Sequence, residues 1–239
     1  MIVKNDLFDY QNRYIYQDSD FFKFSVDSIL LSEFANKYPL NGKILDICTG
    51  NAVVPLILSK YTSNIIYCFE IQKSIAKLAQ LSIEENKLTN QIKLINDDIK
   101  NIGNYYPKNY FNIITCNPPY FEYNGHMVNK TKEKMIARHE VTLNLEQIFE
   151  IASNYLENNG IMYIINRSER LDEIINLGFK YKICVKEIQL IKTKEKTNPS
   201  LVIAKCIKNS KKHIRINDVI CIQNYNSYKN IFKEEEKWN

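Results

Sequence analysis

The sequence predicts an α/β fold: a doubly wound, seven-stranded, mostly parallel sheet closed by an antiparallel strand pair near the C-terminus. Three observations carry this. From Lys43 onward, short apolar runs rich in Ile alternate with segments of helical period, as a parallel sheet covered by helices requires. The first three runs each end in an acidic residue, which puts polar chemistry where an open α/β sheet binds ligands. The last two runs, Lys180 to Lys192 and Leu201 to Ile207, are long and follow each other without a helical segment, so they read as a hairpin.

In chain order, residues 1–40 form a leading extension: a Tyr- and Asp-rich stretch to about Asp20, then a helix from Asp27 to Tyr38 that carries Ile29, Leu30 and Phe34 behind an N-capping Asp or Ser. Residues 41–225 form the main domain. Lys43 to Cys48 is a buried strand, followed by an apolar helix from Val53 to Tyr61. Ile65 to Glu70 is the second strand, and the helix from Lys73 to Leu88 places Ile75, Leu78, Ala79 and Ile83 on one face. Ile92 to Asn96 and Phe111 to Cys116 are the third and fourth strands. A long connection, Phe121 to Thr142, precedes a helix at Leu145 to Glu157 that Asn158-Asn159-Gly160 closes; such a length suits a substrate loop. Ile161 to Ile165 is the fifth strand, and a short helix near Leu171 to Leu177 leads into the closing pair. Residues 226–239 read as a frayed tail.

Composition narrows the function classes. Hydrophobic residues make up 45% and charged residues 25% of the 239 residues, a globular composition. No apolar run approaches the ~20 residues of a membrane span and the N-terminus lacks a signal-peptide apolar region, so the expectation is a soluble cytoplasmic protein, a monomer or weak dimer. Six scattered cysteines without a C-x-x-C pair point to reduced structural thiols and no metal site. The net charge of +5 permits a polyanionic partner. Lys130, Lys132, Lys134 and Arg138 follow the fourth strand closely, and Lys192, Lys194, Lys196, Lys208, Lys211, Lys212 and Arg215 crowd the C-terminal third; the alternative is a solvated lysine-rich surface.

The stretch Asn117-Pro118-Pro119-Tyr120 directly follows the fourth strand. Neither proline can donate a ladder hydrogen bond, and each restricts the residue before it, so pairing stops and the backbone turns rigidly outward. An Asn carbonyl and a backbone carbonyl held this way can both accept from an exocyclic amine, while Tyr120 offers a stacking face. Taken alone, the stretch can also be a strand-ending turn with an incidental Tyr. Asp46-Ile47-Cys48-Thr49-Gly50-Asn51-Ala52 ends the first strand and enters a helix, with Ala52 where a nucleotide loop often has glycine. Glu70 ends the second strand, suited to accept from ribose hydroxyls, and Asp97 and Asp98 end the third, suited to accept from an adenine amine. A P-loop motif is absent, and the acidic strand ends suit a cofactor with a sulfonium and an ammonium better than one with a pyrophosphate.

On these residues, together with Phe24 to Leu31 ahead of the sheet, Glu70-Ile71-Gln72 and Ala137-Arg138-His139-Glu140, the chain resembles the class I S-adenosylmethionine-dependent methyltransferases with an Asn-Pro-Pro-Tyr motif, and more narrowly the bacterial tRNA1(Val) adenine-37 N6-methyltransferase family. The resemblance implies that S-adenosylmethionine is the cofactor and that tRNA is the partner. It implies that Asp46 and Gly50 line the methionine end, with Phe24 packing over it and Asp27 close by; that Glu70 holds the ribose; that Cys48 and Ile71 also belong to the cofactor site; and that Asp98, or less directly Asp97, meets the adenine. Asn117, also placed beside the cofactor, and the Pro118 carbonyl would grip the target N6, and Tyr120 would stack on its base. Lys132, Lys134, Arg138, Arg167 and Arg170 are candidate RNA contacts, while His139 reads first as a local hydrogen-bonding residue. Competing readings are a protein-glutamine N5-methyltransferase, for which 40 leading residues leave little room for the usual helical domain; a ribosomal RNA or DNA amino-methyltransferase; and a non-catalytic RNA-binding module, which degenerate motifs would have favoured.

Overall fold

A computed structural model describes residues 2–7, 10, 12–18, 26–120, 143–224, 227–229 and 231–232. The central sheet runs through β3 (Ile44–Ile47), β4 (Ile66–Phe69), β5 (Ile92–Ile95), β6 (Phe111–Cys116), β7 (Leu156–Arg167), β8 (Ile183–Lys192) and β9 (Leu201–Lys208), in the spatial order β5-β4-β3-β6-β7-β9-β8. The first five are mutually parallel and β9 is antiparallel to both neighbours; its pairing with β8 is the hairpin that the two long terminal runs foretold. Chain order reverses at β3, so the crevice between the C-terminal ends of β3 and β6 is the topological switch point.

The helices cover both faces: α1 (Val26–Ala35), α2 (Val53–Leu58), α3 (Lys73–Glu85), α4 (Leu145–Tyr155) and α5 (Leu171–Lys180). One core cluster joins α1, α2 and α3 to the sheet through Leu30, Phe34, Leu56 and Ala79; the other joins α4 and α5 through Phe149, Ala152 and Ile174. Asn144 and Gln147 form a reciprocal capping box at the start of α4, which satisfies two orphan donors of the first turn. That helix ends at Tyr155, earlier than expected. Asn158-Asn159-Gly160 lies within the span of β7, where Asn159 takes φ 62°, the left-handed conformation that Asn tolerates.

Three further differences arise from tertiary contact. The Tyr-rich leading stretch contains a hairpin, β1 (Ile2–Asp6) and β2 (Tyr14–Asp18), seated on α3. Tyr14 N donates to Asn86 Oδ1 at 2.9 Å and Tyr16 N to Ser82 Oγ at 2.9 Å, so side chains of α3 replace a missing neighbouring strand. All of β1 is exposed and Gln17 of β2 is buried, so the sequence carries no apolar alternation there. Short strands β10 (Arg215–Ile216) and β11 (Ile220–Cys221) extend the sheet along β8, too short for a periodic signal. In the segment expected to fray, Ile231 and Phe232 are buried, and the Phe232 ring meets Phe34 edge-on at 5.4 Å.

Candidate functional site

The turn after β3 is built over a buried carboxylate. Asp46 accepts from Thr49 Oγ1 and Thr115 Oγ1, each at 2.6 Å, the second across the β3–β6 register. Burial pushes its carboxyl up to about 7, with the Thr115 and Thr49 hydroxyls opposing the shift and Glu70 adding to it. The chain then turns through three positive φ values: Cys48 at 59°, Gly50 at 55° and Ala52 at 67°. Ala52 thus takes the left-handed geometry despite its methyl. A Cβ built on Gly50 would meet nothing within 4 Å, so the space above this turn is open. Asn51 Nδ2 donates to Tyr16 O at 2.7 Å, which ties the turn to the leading hairpin.

Glu70 lies beside this turn, 6% exposed, and accepts from Gly50 N and Gln72 N at 2.9 Å each. Burial raises its carboxyl above the ordinary range, and the backbone N–H groups of Gln72, Gly50 and Ile71 counteract it. Each oxygen keeps a lone pair for another donor. Ile71 follows with its side chain exposed. Asp97 accepts from Asp98 N, Asn101 Nδ2 and Tyr105 OH at 2.7, 2.9 and 2.8 Å, and the Asn101 and Tyr105 bonds lower its carboxyl. Asp98 caps the 3-10 turn Ile99–Asn104 through Lys100 N at 3.0 Å and pairs with the Lys100 ammonium at 3.1 Å. Both acids at the end of β5 are therefore fixed by their own turn.

Across the switch point, the end of β6 meets the first turn of α1. Asn117 Nδ2 donates to Ser28 Oγ at 2.9 Å. The Tyr120 hydroxyl stands 2.6 Å from Asn117 Oδ1 and 2.8 Å from Asp27 Oδ2. Burial first, then the charge of Asp27, pushes the Tyr120 phenol well above its ordinary value, so it keeps its proton. Pro118 is buried in this turn. The structure thus joins Asp27, Asn117 and Tyr120, expected separately on the cofactor and target sides. Cys48 lies close enough to hydrogen-bond the buried Cys116 thiol.

Arg167, at the end of β7, pairs with Glu169 at 3.1 Å, and its charge reaches Tyr120. Arg170 is turned along its own helix start to Glu173, at 2.7 Å, so it is held by a carboxylate beside it. Phe24, Lys132, Lys134, Arg138 and His139 lie outside the described residues. Sequence reasoning missed Ser28, Thr49 and Thr115 as partners of the key groups. Only Thr115 carried a signal: its parity in β6 sets it on the same sheet face as Asp46.

The methyltransferase small domain model matches residues 25–192. The tRNA1(Val) (adenine(37)-N6)-methyltransferase of Photobacterium profundum is 25% identical over 207 residues, 85% of this chain and 85% of that protein. The protein of the same name from Haemophilus influenzae is 31% identical over 161 residues, 66% of this chain and 67% of its own. Among solved structures, a predicted O-methyltransferase from Agrobacterium tumefaciens superposes with a TM-score of 0.62 at 17% identity, covering 82% of this chain and 86% of that one. TYW2 of M. jannaschii in complex with AdoMet gives 0.59 at 12%, covering 86% and 85%. At these identities the structural likeness concerns the fold.

Proposed function

We propose that this chain, which belongs to the methyltransferase small domain family, methylates the N6 amine of adenine 37 in a tRNA anticodon loop at the expense of S-adenosylmethionine. The observation that carries the reading is that Asn117-Pro118-Pro119-Tyr120, the open turn of Gly50 and the buried carboxylate of Glu70 follow the C-terminal ends of three adjacent parallel strands, β6, β3 and β4. The names of the relatives support the choice of nucleic acid and base.

The residues present fit the cofactor. Glu70 would accept from its ribose hydroxyls with the lone pairs its two backbone partners leave, Ile71 would pack on its apolar face, and the Gly50 turn has room above it. Asp46, whose oxygens are taken by two threonines, would act from beneath as a negative charge. When bound, the cofactor supplies an electrophilic methyl group on a sulfonium. Of the two acids at the end of β5, Asp98 remains the proposed adenine contact, with Asp97 bracing the turn.

The adenine amine is a poor nucleophile because its lone pair is delocalised into the ring. Asn117 Oδ1 and the Pro118 carbonyl would accept its two hydrogens and favour the pyramidal, nucleophilic nitrogen, while the Tyr120 ring would hold the base by stacking. The base must first leave its stack, which a single-stranded loop permits at low cost. For the RNA backbone, the connection between β8 and β9 is the relevant surface. Lys192, Lys194 and Lys196 leave β8 at the end of the sheet where Arg167 stands, whereas Lys208, Lys211 and Lys212 lie at the far end of β9 or just beyond it, at the opposite end of the sheet. The crowd of C-terminal lysines is thus divided between the two ends of the sheet, and the first group, on the end that carries Arg167, is assigned to the RNA.

The test is tritiated-methyl transfer from S-adenosylmethionine to total unmodified tRNA, with nucleoside analysis for N6-methyladenosine, by the wild type and Asn117→Ala. The variant is expected to lose transfer and keep cofactor binding. Wild-type activity in the variant, or label in another nucleoside, would overturn the reading.

A further inference from the structure

We propose that two residues of α1, Ser28 and Asp27, set Asn117 in its accepting state: Ser28 holds the Nδ2 side of the carboxamide, and Asp27 draws the Tyr120 hydrogen away from Oδ1. The proposal rests on the reading of Asn117 as the acceptor for the target amine and assigns both α1 residues a positioning role toward it.

The argument begins with a count of hydrogens. A phenol has one, yet the Tyr120 oxygen lies 2.8 Å from a carboxylate oxygen and 2.6 Å from an amide carbonyl oxygen, neither of which donates. Charge-assisted hydrogen bonds are about twice as strong as neutral ones, so the hydrogen goes to Asp27. Among the described residues Asn117 Oδ1 is then left facing oxygen lone pairs without a donor, the condition in which an incoming amine hydrogen is bound best. Were the hydrogen directed to Asn117 instead, one of the two Oδ1 lone pairs would be taken by its own neighbour and the carbonyl would be a weaker acceptor for the amine.

Orientation is the second half. The carboxamide is nearly symmetric in shape and opposite in chemistry at its two ends, and a half turn would present a donor to the amine. The 2.9 Å contact from Nδ2 to Ser28 Oγ gives the donor end a partner away from Oδ1. Both anchors are stiff: Ile29, Leu30, Leu31 and Phe34 of α1 are fully buried or nearly so, and the backbone at Asn117 is restricted by the proline that follows. The Tyr120 phenol, pushed up by burial and by Asp27, remains a neutral O–H and can serve as the intermediary.

The experiment measures kcat at saturating S-adenosylmethionine on unmodified tRNA, with cofactor affinity by calorimetry, for Ser28→Ala, Ser28→Thr, Asp27→Asn, Tyr120→Phe, the double variant Asp27→Asn with Tyr120→Phe, and Asn117→Ala. Ser28→Ala is expected to lower kcat about tenfold with unchanged cofactor affinity, and Ser28→Thr, which keeps the hydroxyl, to recover most of it. Asp27→Asn should lower kcat because the Tyr120 hydrogen becomes available to Asn117. Deleting that hydroxyl in the double variant should raise kcat above that of Asp27→Asn alone, a coupling that a merely structural role would not produce. The proposal is overturned by wild-type kcat in Ser28→Ala, or by a double variant no more active than Asp27→Asn, while Asn117→Ala is inactive. Wild-type activity in Asn117→Ala removes instead the reading on which the proposal stands.

Discussion

Replacing Asp46 by Asn removes a buried charge without removing a hydrogen-bonding partner. Both carboxylate oxygens accept from threonine hydroxyls, Thr49 and Thr115, at 2.6 Å. A hydroxyl can turn and accept, so either threonine can receive the new amide N–H while the other keeps donating. The cost of the charge can be worked out. Burial raises the carboxyl from 3.8 to about 7, and at about 1.4 kcal/mol per unit this is roughly 4 kcal/mol of native-state preference for the neutral acid. The folded acid holds its proton at pH values where the unfolded chain has lost it. The ligand-free protein therefore loses stability as pH rises from about 4 through about 7, and has lost the full amount above that range. Asp46→Asn has no such loss. Urea unfolding of both proteins at several pH values should give similar stabilities near pH 4 and an advantage for the variant near pH 8 of up to roughly 4 kcal/mol. The variant should at the same time bind S-adenosylmethionine more weakly, because a cationic cofactor gains from the charge that the empty fold disfavours. A difference between the two proteins that does not change with pH would refute the reasoning.

Glu70→Gln tests the other buried acid. The amide has one carbonyl oxygen for two backbone donors, Gly50 N and Gln72 N, and an N–H left without an acceptor costs about 1–3 kcal/mol. The Gly50 turn should distort, and calorimetry should show cofactor affinity at least about tenfold weaker, about 1.4 kcal/mol; equal affinity would place the ribose elsewhere. Gly42→Ala probes the scaffold away from the chemistry. Gly42 has φ 80°, and a Cβ there would stand 2.1 Å from Asn112 Oδ1, which accepts from Lys43 N at 2.8 Å. A loss of about 2–4 kcal/mol is expected, read as a lower Tm, with methyl transfer by the remaining folded protein unchanged; an unaltered Tm would show that the turn relaxes freely.

The strands of the sheet were legible because they depend on local pattern. Ile44 to Ile47, Ile66 to Phe69 and Phe111 to Cys116 are short apolar runs ended by acids, glycine or proline, and both signals sit within a few residues of each other. The leading hairpin was not legible, because β1 is exposed along its length and β2 is completed by Asn86 and Ser82, about seventy residues away in the chain. The seat of Phe232 against Phe34 was hidden for the same reason: a lone aromatic in a charged tail has no periodicity.

The same division runs through the candidate site. By itself the sequence determined which groups stand at the strand ends: Asp46, Gly50, Glu70, Asp97, Asp98 and the Asn117 to Tyr120 stretch. A strand's end and the turn that follows are set by neighbouring residues. Only the tertiary structure decided what those groups face. Asp46 is turned inward onto Thr115, 69 residues away on the neighbouring strand, as well as onto Thr49, whereas Asp98 and Arg170 meet near neighbours in their own turns, Lys100 and Glu173. Asp27, which the resemblance placed close to the methionine end of the cofactor, shares the Tyr120 hydroxyl with Asn117. Tyr120 lies 3 residues from Asn117 and 93 from Asp27 in the chain, and hydrogen bonds act over about 3 Å. Only the packing of α1 onto the sheet brings the two sides of that site within such a range.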